Sequence, residues 1–348
     1  MCPFIQRVLA ATVFAMLILH SADSVADDSP EAAHPSDEVS AAVQKSLKYL
    51  DERGQWWLDK KKCVSCHRTA FVSWTMRQAT DRGLSVSGSD LARWQSANLE
   101  KPGGKGNLEG ISQLILGRVP DPIDGLNESP DASAVYDEFA QLLIDNQQPD
   151  GSWKAGGQLP RQKRPEAETQ QVSVMWNVLA LESLDQTDER RKAISQARSF
   201  LQSKIDDPEF AAPKSIEWYA LQVALVSSSD DSAKLSAAIE KLLDLQNSDG
   251  GWGWMSGEKS HAMSTGLAVY FLHRSSSDGQ SRVTAATRKA TGWLLDNQED
   301  NGAWPSTGTK ANAKGKVVET STYWSSAWAV LGLIESLPSE RSVSATAQ

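Results

Sequence analysis

The sequence predicts an all-α protein, a closed ring of about six helical hairpins, on three observations. A short pattern of residues recurs with constant internal spacing. Amphipathic helices alternate with helices that are apolar nearly all round, and a helix of the second kind must be buried on most sides. Each hairpin therefore pairs an outer helix with an inner helix. Six such pairs at this chain length favour a closed ring over an open solenoid.

The recurring pattern is Leu-x3-Gln-x3-Gly-x-Trp. It occurs three times, at residues 143–153, 242–252 and 294–304. The glutamines Gln147, Gln246 and Gln298 are 99 and 52 residues apart, which indicates a period of about 50 residues with one degenerate copy near Phe200-Leu201-Gln202. In each copy the glycine is expected to end the outer helix, and the loop that follows opens with the tryptophan.

The helix pairs are predicted from the alternation of charged and apolar segments. They cover residues 41–82, 89–117, 132–184, 189–227, 232–273 and 283–337. In the first pair, Ser40–Asp51 is the predicted outer helix and Thr69–Thr80 the inner helix. Gly54-Gln55-Trp56 is interpreted as a shortened copy of the pattern. The second pair is the least clearly marked.

Three segments lie outside the predicted ring of residues 40–337: a signal peptide at 1–26, a disordered leader at 27–39 and a loose tail at 338–348. Arg7 supplies the positive start of the signal peptide, and the apolar run Val8–Leu19 is too short to span a bilayer. A retained anchor helix is the alternative. We therefore expect an exported protein, periplasmic or secreted, with no transmembrane anchor after cleavage.

Cys63-Val64-Ser65-Cys66-His67 has the C-x-x-C-H pattern by which haem c is attached. The thiols of Cys63 and Cys66 add across the haem vinyl groups, and His67 becomes an axial iron ligand. The third cysteine, Cys2, leaves with the signal peptide, so a disulfide framework does not explain the pair. The pattern predicts covalent haem c, and with it an electron-transfer or redox role and a redox partner protein.

Other chemistries remain open for the same residues. The spacing of Cys63 and Cys66, together with a histidine, is also a metal-ligand spacing, so zinc is the alternative metal. A redox-active or structural disulfide between the two cysteines is a further possibility.

A second axial ligand is expected near the starts of the inner helices, where His67 lies. His261, at the start of the fifth inner helix, ranks first and Met263 second; imidazole lowers the haem potential and a thioether raises it. The haem is expected over or inside a central cavity walled by Trp57 and Trp74.

The repeated units resemble the QW repeats of the squalene–hopene cyclase family, one of the terpenoid cyclase and protein prenyltransferase α/α toroids. The resemblance covers about residues 40–337 and implies structural roles for Gln147, Gln246, Gln298, Trp153, Trp252 and Trp304. It also implies an alternative function, a toroid enzyme or an isoprenoid-binding protein with a hydrophobic ligand in its cavity and with zinc or no metal. The family's Asp-x-Asp-Asp acid is missing; Asp206-Asp207 and Asp230-Asp231 are the nearest pairs, so cyclase activity is not expected.

Composition narrows the possible partners. The formal net charge of −9 makes nucleic acid an unsuitable ligand. Thirteen tryptophans against seven phenylalanines indicate a repeated structural role or an aromatic-lined cavity. The run Lys60-Lys61-Lys62 is a solvated loop or a docking point for an acidic redox partner.

Overall fold

The structure is a computed structural model that describes residues 36–61, 67–99, 107–118, 132–157, 159, 161–207, 209, 211–229, 231–276 and 280–338. Several predictions fall on other parts of the chain. The signal peptide, most of the leader, Cys63, Cys66 and nearly all of the tail lie outside the described residues.

Twelve α-helices are found among the described residues. They are α1 (Ser36–Lys61), α2 (His67–Asp81), α3 (Gly88–Leu99), α4 (Leu108–Leu116), α5 (Ala132–Asp145), α6 (Glu166–Glu182), α7 (Asp188–Ile205), α8 (Ile216–Ser227), α9 (Ser232–Leu243), α10 (Ala262–Ser275), α11 (Ser281–Asp296) and α12 (Glu319–Glu335). A single 3-10 turn, Ala311–Ala313, precedes α12. The helices alternate between outer and inner positions, six of each, which confirms the predicted all-α fold of about six hairpins. The predicted pairing differs, because each inner helix from α2 to α10 packs more closely against the outer helix that follows it than against the one that precedes it, and α12 packs against α1.

The even-numbered helices form the inner wall of a closed ring. Each of them packs against the next in chain order, from α2 to α12, and α12 returns to pack against α2 and α1. The tightest approach joins α10 and α12, where a Cβ on Gly266 would collide with the backbone of Trp328. The prediction of a closed ring is therefore confirmed: the fold is an α/α toroid.

The first hairpin departs from its predicted boundaries. Helix α1 begins at Ser36, inside the predicted leader, and continues to Lys61 through the segment interpreted as a shortened repeat. That interpretation was wrong, because Gly54 is helical and serves packing: a Cβ there would meet the indole of Trp94 on α3.

The glutamine of each repeat fastens neighbouring hairpins. Its Nε2 donates to the carbonyl of the glycine in its own repeat and to a carbonyl on the next outer helix. The second acceptors, at 2.8–2.9 Å, are Ala193 of α7 for Gln147, Ala286 of α11 for Gln246 and Ala42 of α1 for Gln298. Because Ala42 belongs to the first helix, Gln298 closes the ring.

The tryptophan and glycine of each repeat contribute to the same contact between neighbouring hairpins. The indole N–H donates to the carbonyl of the repeat's leucine at 2.7–2.8 Å, and the three indoles are buried. The glycines have φ between +87° and +91°, and a Cβ on any of them would meet the backbone of the next outer helix. Glycine is required there, since other residues rarely adopt this conformation. The structural roles of the glutamines and tryptophans are thus explained by their hydrogen bonds.

Candidate functional site

The loops that precede the inner helices meet at one mouth of the ring. Met255, before α10, forms a bridge with Ser215, before α8, and the backbone N–H of Ile216 donates to the carbonyl of Trp254 at 3.1 Å. At the same mouth the start of α2 contacts the start of α12. His67 is the first residue of α2 and begins an inner helix at this mouth, whereas the predicted helix starts two residues later, at Thr69.

Arg68, the residue after His67, is completely buried. Its guanidinium lies 4.5 Å from the ring centroid of Trp57 and 4.4 Å from that of Tyr323. Its Nη1 donates to Oε1 of Glu319 at 2.7 Å, and its Nη2 pairs with the other carboxylate oxygen. Cation–π contacts with two aromatic rings and a bidentate ion pair with Glu319 therefore fix the guanidinium of Arg68.

Two further interactions extend this arrangement. Arg53 also donates to Glu319, at 3.2 Å, and its guanidinium lies 4.1 Å from the ring centroid of Trp56. Partial burial opposes ionisation of Glu319, but the bonds and charges of Arg68 and Arg53 outweigh it and lower the pKa of the carboxyl. Tyr323 Oη donates to the carbonyl of Arg68 at 2.8 Å.

We call these six residues the Arg68 cluster: Arg53, Trp56, Trp57, Arg68, Glu319 and Tyr323. The cluster joins α1, α2 and α12, and it fixes the start of α2 directly beside the C-x-x-C-H segment. Sequence reasoning found Trp57 but missed Arg68, Glu319 and Tyr323. The available signal was a charged residue at the start of α2 and another at the start of α12, both of them mostly apolar inner helices.

His261 precedes α10 as its N-cap, at the predicted mouth, but its side chain is engaged there. Its Nε2 donates to the carbonyl of Thr307 at 3.1 Å, and its buried Nδ1 has no partner among the described residues. Burial lowers the pKa of His261, so the imidazole is neutral at pH 7. It lines a cavity of about 470 Å³ together with Lys163 and Trp293.

Met263 lines a different cavity, of about 460 Å³, between the starts of α10 and α12. Val318 and Trp324 contribute apolar surface to it, and Lys310 and Lys316 contribute charge. Thr320 and Ser321 also line it, and they directly follow Glu319 of the Arg68 cluster. Met263, unlike His261, therefore lines a cavity that reaches the first turn of α12, next to Glu319.

Aromatic rings fill the centre of the toroid below the mouth. Trp328 of α12 lies 5.4 Å from Phe71 and 5.5 Å from Trp74 of α2, and 5.8 Å from Trp176 of α6, measured between ring centroids. In a ring of six inner helices α6 stands opposite α12, so this last contact crosses the axis. Trp74 thus packs in the core instead of walling an open cavity, and ligand space in this region lies at the mouth.

The described carboxylates nearest to a cyclase acid lie at or beside helix ends, and Asp230 lies outside the described residues. Asp206 is the C-cap of α7, Asp207 is exposed, and Asp231 is the N-cap of α9, where it accepts a bond from the backbone N–H of Lys234 at 3.0 Å. An acid that protonates an alkene must itself be kept protonated in a shielded site, which these positions do not provide. The missing cyclase acid is thus not replaced by these residues.

Among the residues that the structure describes, no group of three or more histidine, cysteine, aspartate or glutamate side chains is placed to hold a metal ion. No helix there combines the length and the apolar character needed to cross a bilayer.

Solved structures with the same α/α toroid fold are found at low sequence identity. A possible member of the GH105 family from Salmonella enterica serovar Paratyphi A is 15% identical, with a TM-score of 0.59 over 88% of this chain and 96% of that one. A type II terpene cyclase from Scytonema, in complex with geranylgeranyl dihydroxybenzoate, is 12% identical, with a TM-score of 0.54 over 87% and 98%. A polysaccharide lyase is 12% identical, with a TM-score of 0.53 over 89% and 98%. No family model and no curated protein matches the sequence.

At identities of 12–15%, the structural similarity establishes the fold of this chain and no more specific property. The chain belongs structurally with α/α toroids, a fold that carries unrelated chemistries. The residues at the mouth of this ring, and not its fold, therefore carry the information about function.

Proposed function

We propose that this chain is an exported c-type haem protein with an electron-transfer or redox role, built on an α/α toroid. Cys63 and Cys66 bind the haem covalently, and His67 is an axial ligand. The observation that carries the proposal is the C-x-x-C-H sequence, whose histidine, His67, begins α2 at the mouth of the ring. When bound, the haem supplies one-electron chemistry at its iron.

The Arg68 cluster supports this assignment because it fixes the residue next to the ligand. Arg68 is buried, bonded to Glu319 and stacked between Trp57 and Tyr323. An axial ligand needs a fixed orientation, and groups that surround a ligand commonly provide it. The first turn of α2 is held in this way by two other helices.

The cavity lined by Met263 fits the chemistry of a haem. Haem presents an apolar plane and two carboxylates, and this cavity combines Val318 and Trp324 with Lys310 and Lys316. A thioether is a suitable axial donor that raises the reduction potential. We therefore propose Met263 as the second ligand in preference to His261, whose Nε2 is bonded to Thr307 in a separate cavity.

Basic residues around this mouth point to an acidic redox partner. Lys60 and Lys61 are exposed at the end of α1, and Lys314 and Lys316 are exposed before α12. They form a positive region on a protein whose net charge is −9. Opposite charges on two surfaces speed their encounter and select the partner.

The cysteine assignment is tested by replacing Cys63 and Cys66 together with alanine. We expect the double variant to lose all haem that survives denaturing electrophoresis and to keep the helical signal of the wild type in far-ultraviolet circular dichroism. Cys2→Ala is the matched control and should keep its haem. Covalent haem in the double variant would show that the site has been assigned wrongly.

The assignment of Met263 is tested by comparing Met263→Leu with His261→Gln in the haem-loaded protein. Because leucine keeps the volume but removes the sulfur donor, we expect a lower reduction potential and an altered absorption spectrum only in Met263→Leu. The opposite pattern, with the changes in His261→Gln alone, would restore the ranking that the sequence gives to the two residues.

A further inference from the structure

The cavity of about 470 Å³ that His261 lines lies at the rim of the mouth, between the fifth and sixth hairpins. Its volume is within the usual range for small-molecule sites. Three parts of the chain surround it: the loop before α10, the end of α11 and the loop that follows α11. Lys163, from the loop before α6, also lines it. This cavity combines aromatic surface with charged groups that solvent can reach.

Trp293 and Pro305 provide apolar surface in this cavity. Trp293, in the last turn of α11, is partly exposed, and Pro305 is exposed. The third repeat joins the two segments that carry them, because Trp304 donates its indole N–H to the carbonyl of Leu294 at 2.8 Å. An aromatic face held in this way is a surface on which an apolar face of a ligand can pack.

Groups of both charges line the same cavity. Nζ of Lys163 lies 3.1 Å from Oε1 of Glu258, and the two side chains are 30% and 40% exposed, so a ligand can reach both. Their main chains are held as well. The backbone N–H of Lys163 donates to the carbonyl of Thr309 at 3.1 Å, and the carbonyl of Glu258 accepts a bond from Nδ2 of Asn247 at 2.9 Å. These polar groups are therefore in place before a ligand arrives, which lowers the cost of binding.

Asn297 adds a neutral polar group close to Trp293. Its Nδ2 donates to the carbonyl of Trp293 at 2.8 Å, which fixes the amide at the end of α11, and the residue is exposed in the cavity. Lys259 is the remaining charged residue of the lining. Glu258 opposes the binding of an anion, and the two lysines oppose the binding of a cation. The lining therefore surrounds an aromatic face with hydrogen-bond donors and acceptors and favours a neutral ligand.

We propose that this cavity binds a neutral saccharide. The face of a sugar ring that carries C–H groups is apolar and packs on Trp293, and the hydroxyls at the edge of the ring reach the polar groups. One hydroxyl donates to the carboxylate of Glu258, and its neighbour accepts a bond from Nζ of Lys163. A further hydroxyl bonds to the amide of Asn297. Hydrogen bonds to charged partners are stronger than neutral ones, so the ion pair supplies the main polar contacts. The site is separate from the cavity of Met263 and does not depend on the proposed haem.

The test is isothermal titration calorimetry of the full chain with maltose, cellobiose and N,N′-diacetylchitobiose as probes. We expect saturable binding of at least one probe. Trp293→Ala removes the packing surface, so binding should weaken by about 10-fold or more. Glu258→Gln keeps the shape of the side chain but removes a charged acceptor, and should weaken binding by about 3- to 10-fold. Tyr219→Ala, which removes a partly exposed aromatic ring of α8 outside the cavity, is the control and should bind as the wild type does.

Weaker binding in Trp293→Ala, with wild-type binding in Tyr219→Ala, supports the proposal. If none of the three probes saturates, the proposal is overturned. Wild-type affinity in a folded Trp293→Ala variant also overturns it, because the sugar then binds elsewhere. Should circular dichroism show that this variant does not fold, wild-type affinity in Glu258→Gln has the same consequence. Glucuronate, titrated in parallel, should bind no more tightly than the neutral probes, and a clear preference for this acid would contradict a neutral ligand.

Discussion

The first and sixth hairpins are neighbours in the ring, yet they are built differently at the mouth. In the sixth, α11 is followed by the left-handed Gly302 and the buried Trp304, which lock the loop against the next helix. In the first, α1 continues through Gly54 to Lys61, and the sequence between α1 and α2 carries the C-x-x-C-H pattern instead of the repeat. Where the repeat is present, its loop holds the ring together. The first hairpin has no repeat, so the corresponding position in its sequence can serve chemistry instead.

The same two hairpins are fastened to each other more than once. Gln298 donates to the carbonyl of Ala42, and Arg68 pairs with Glu319. The proposed haem segment therefore adjoins a firmly closed seam of the toroid. We therefore expect changes in the sixth hairpin to affect mainly the stability of the ring, and changes in the first hairpin to affect mainly its chemistry.

The largest difference is expected between their tryptophans. Trp304 is buried and its indole N–H is bonded to the carbonyl of Leu294, so Trp304→Ala should lower the free energy of unfolding by about 3–5 kcal/mol. Trp56 is only partly buried, and Trp56→Ala should cost about 1 kcal/mol. Urea denaturation followed by circular dichroism measures both. Equal losses would remove the distinction between the two hairpins.

A smaller difference is expected between their glutamines. Gln298→Ala deprives two carbonyls of a donor and opens the ring closure, which should cost about 1–3 kcal/mol. Gln55, in the first hairpin, donates to Asp59 one turn further along its own helix and accepts a bond from Arg93 of α3 at 2.8 Å, so Gln55→Ala should cost about 0.5–1 kcal/mol. A loss at Gln55 as large as that at Gln298 would mean that the first hairpin does contain a working repeat.

The smallest effect is expected at the opposite end of the inner helices, near the end of α10, where His273 lies near Glu335 of α12 and Arg82 after α2. Burial lowers the pKa of His273, whose Nε2 has no partner among the described residues. The unfolded chain, with a histidine pKa of about 6.5, then takes up the proton first as the pH falls. Stability is therefore full above that value and declines as the pH falls towards the lowered pKa of the folded state.

His273→Gln should flatten this decline in melting temperature between pH 7 and 5.5, although His261 contributes in the same direction. An unchanged profile in the variant would show that His273 is solvated in the folded protein.

Much of the fold could be predicted because its signals are local. The constant spacing of glutamine, glycine and tryptophan marked three of the loops between helices, and the segment Thr69–Thr80 predicted α2 to within two residues. The extent of α1 could not be predicted, since a helical glycine that packs against Trp94 has the same appearance in sequence as the repeat glycines. Those glycines lie in loops, six or seven residues after their outer helices end, and do not end the helices as predicted.

The site was less accessible to sequence reasoning because it depends on contacts between distant residues. Arg68 and Glu319 are 251 positions apart, and their pairing follows only from closure of the ring. The aromatic filling of the axis likewise combines α2, α6 and α12 through Trp74, Trp176 and Trp328. The residue types were visible in the sequence, whereas their meeting point was not.

The central claim is covalent haem at Cys63 and Cys66, and the most direct test is haem-specific peroxidase staining of a denaturing gel together with a pyridine haemochrome spectrum. The protein should be exported from a host that matures haem c. The account predicts a stained band at the mass of the chain and a c-type spectrum. A folded, exported and colourless protein would contradict it, and zinc and bound lipid would then be the ligands to assay.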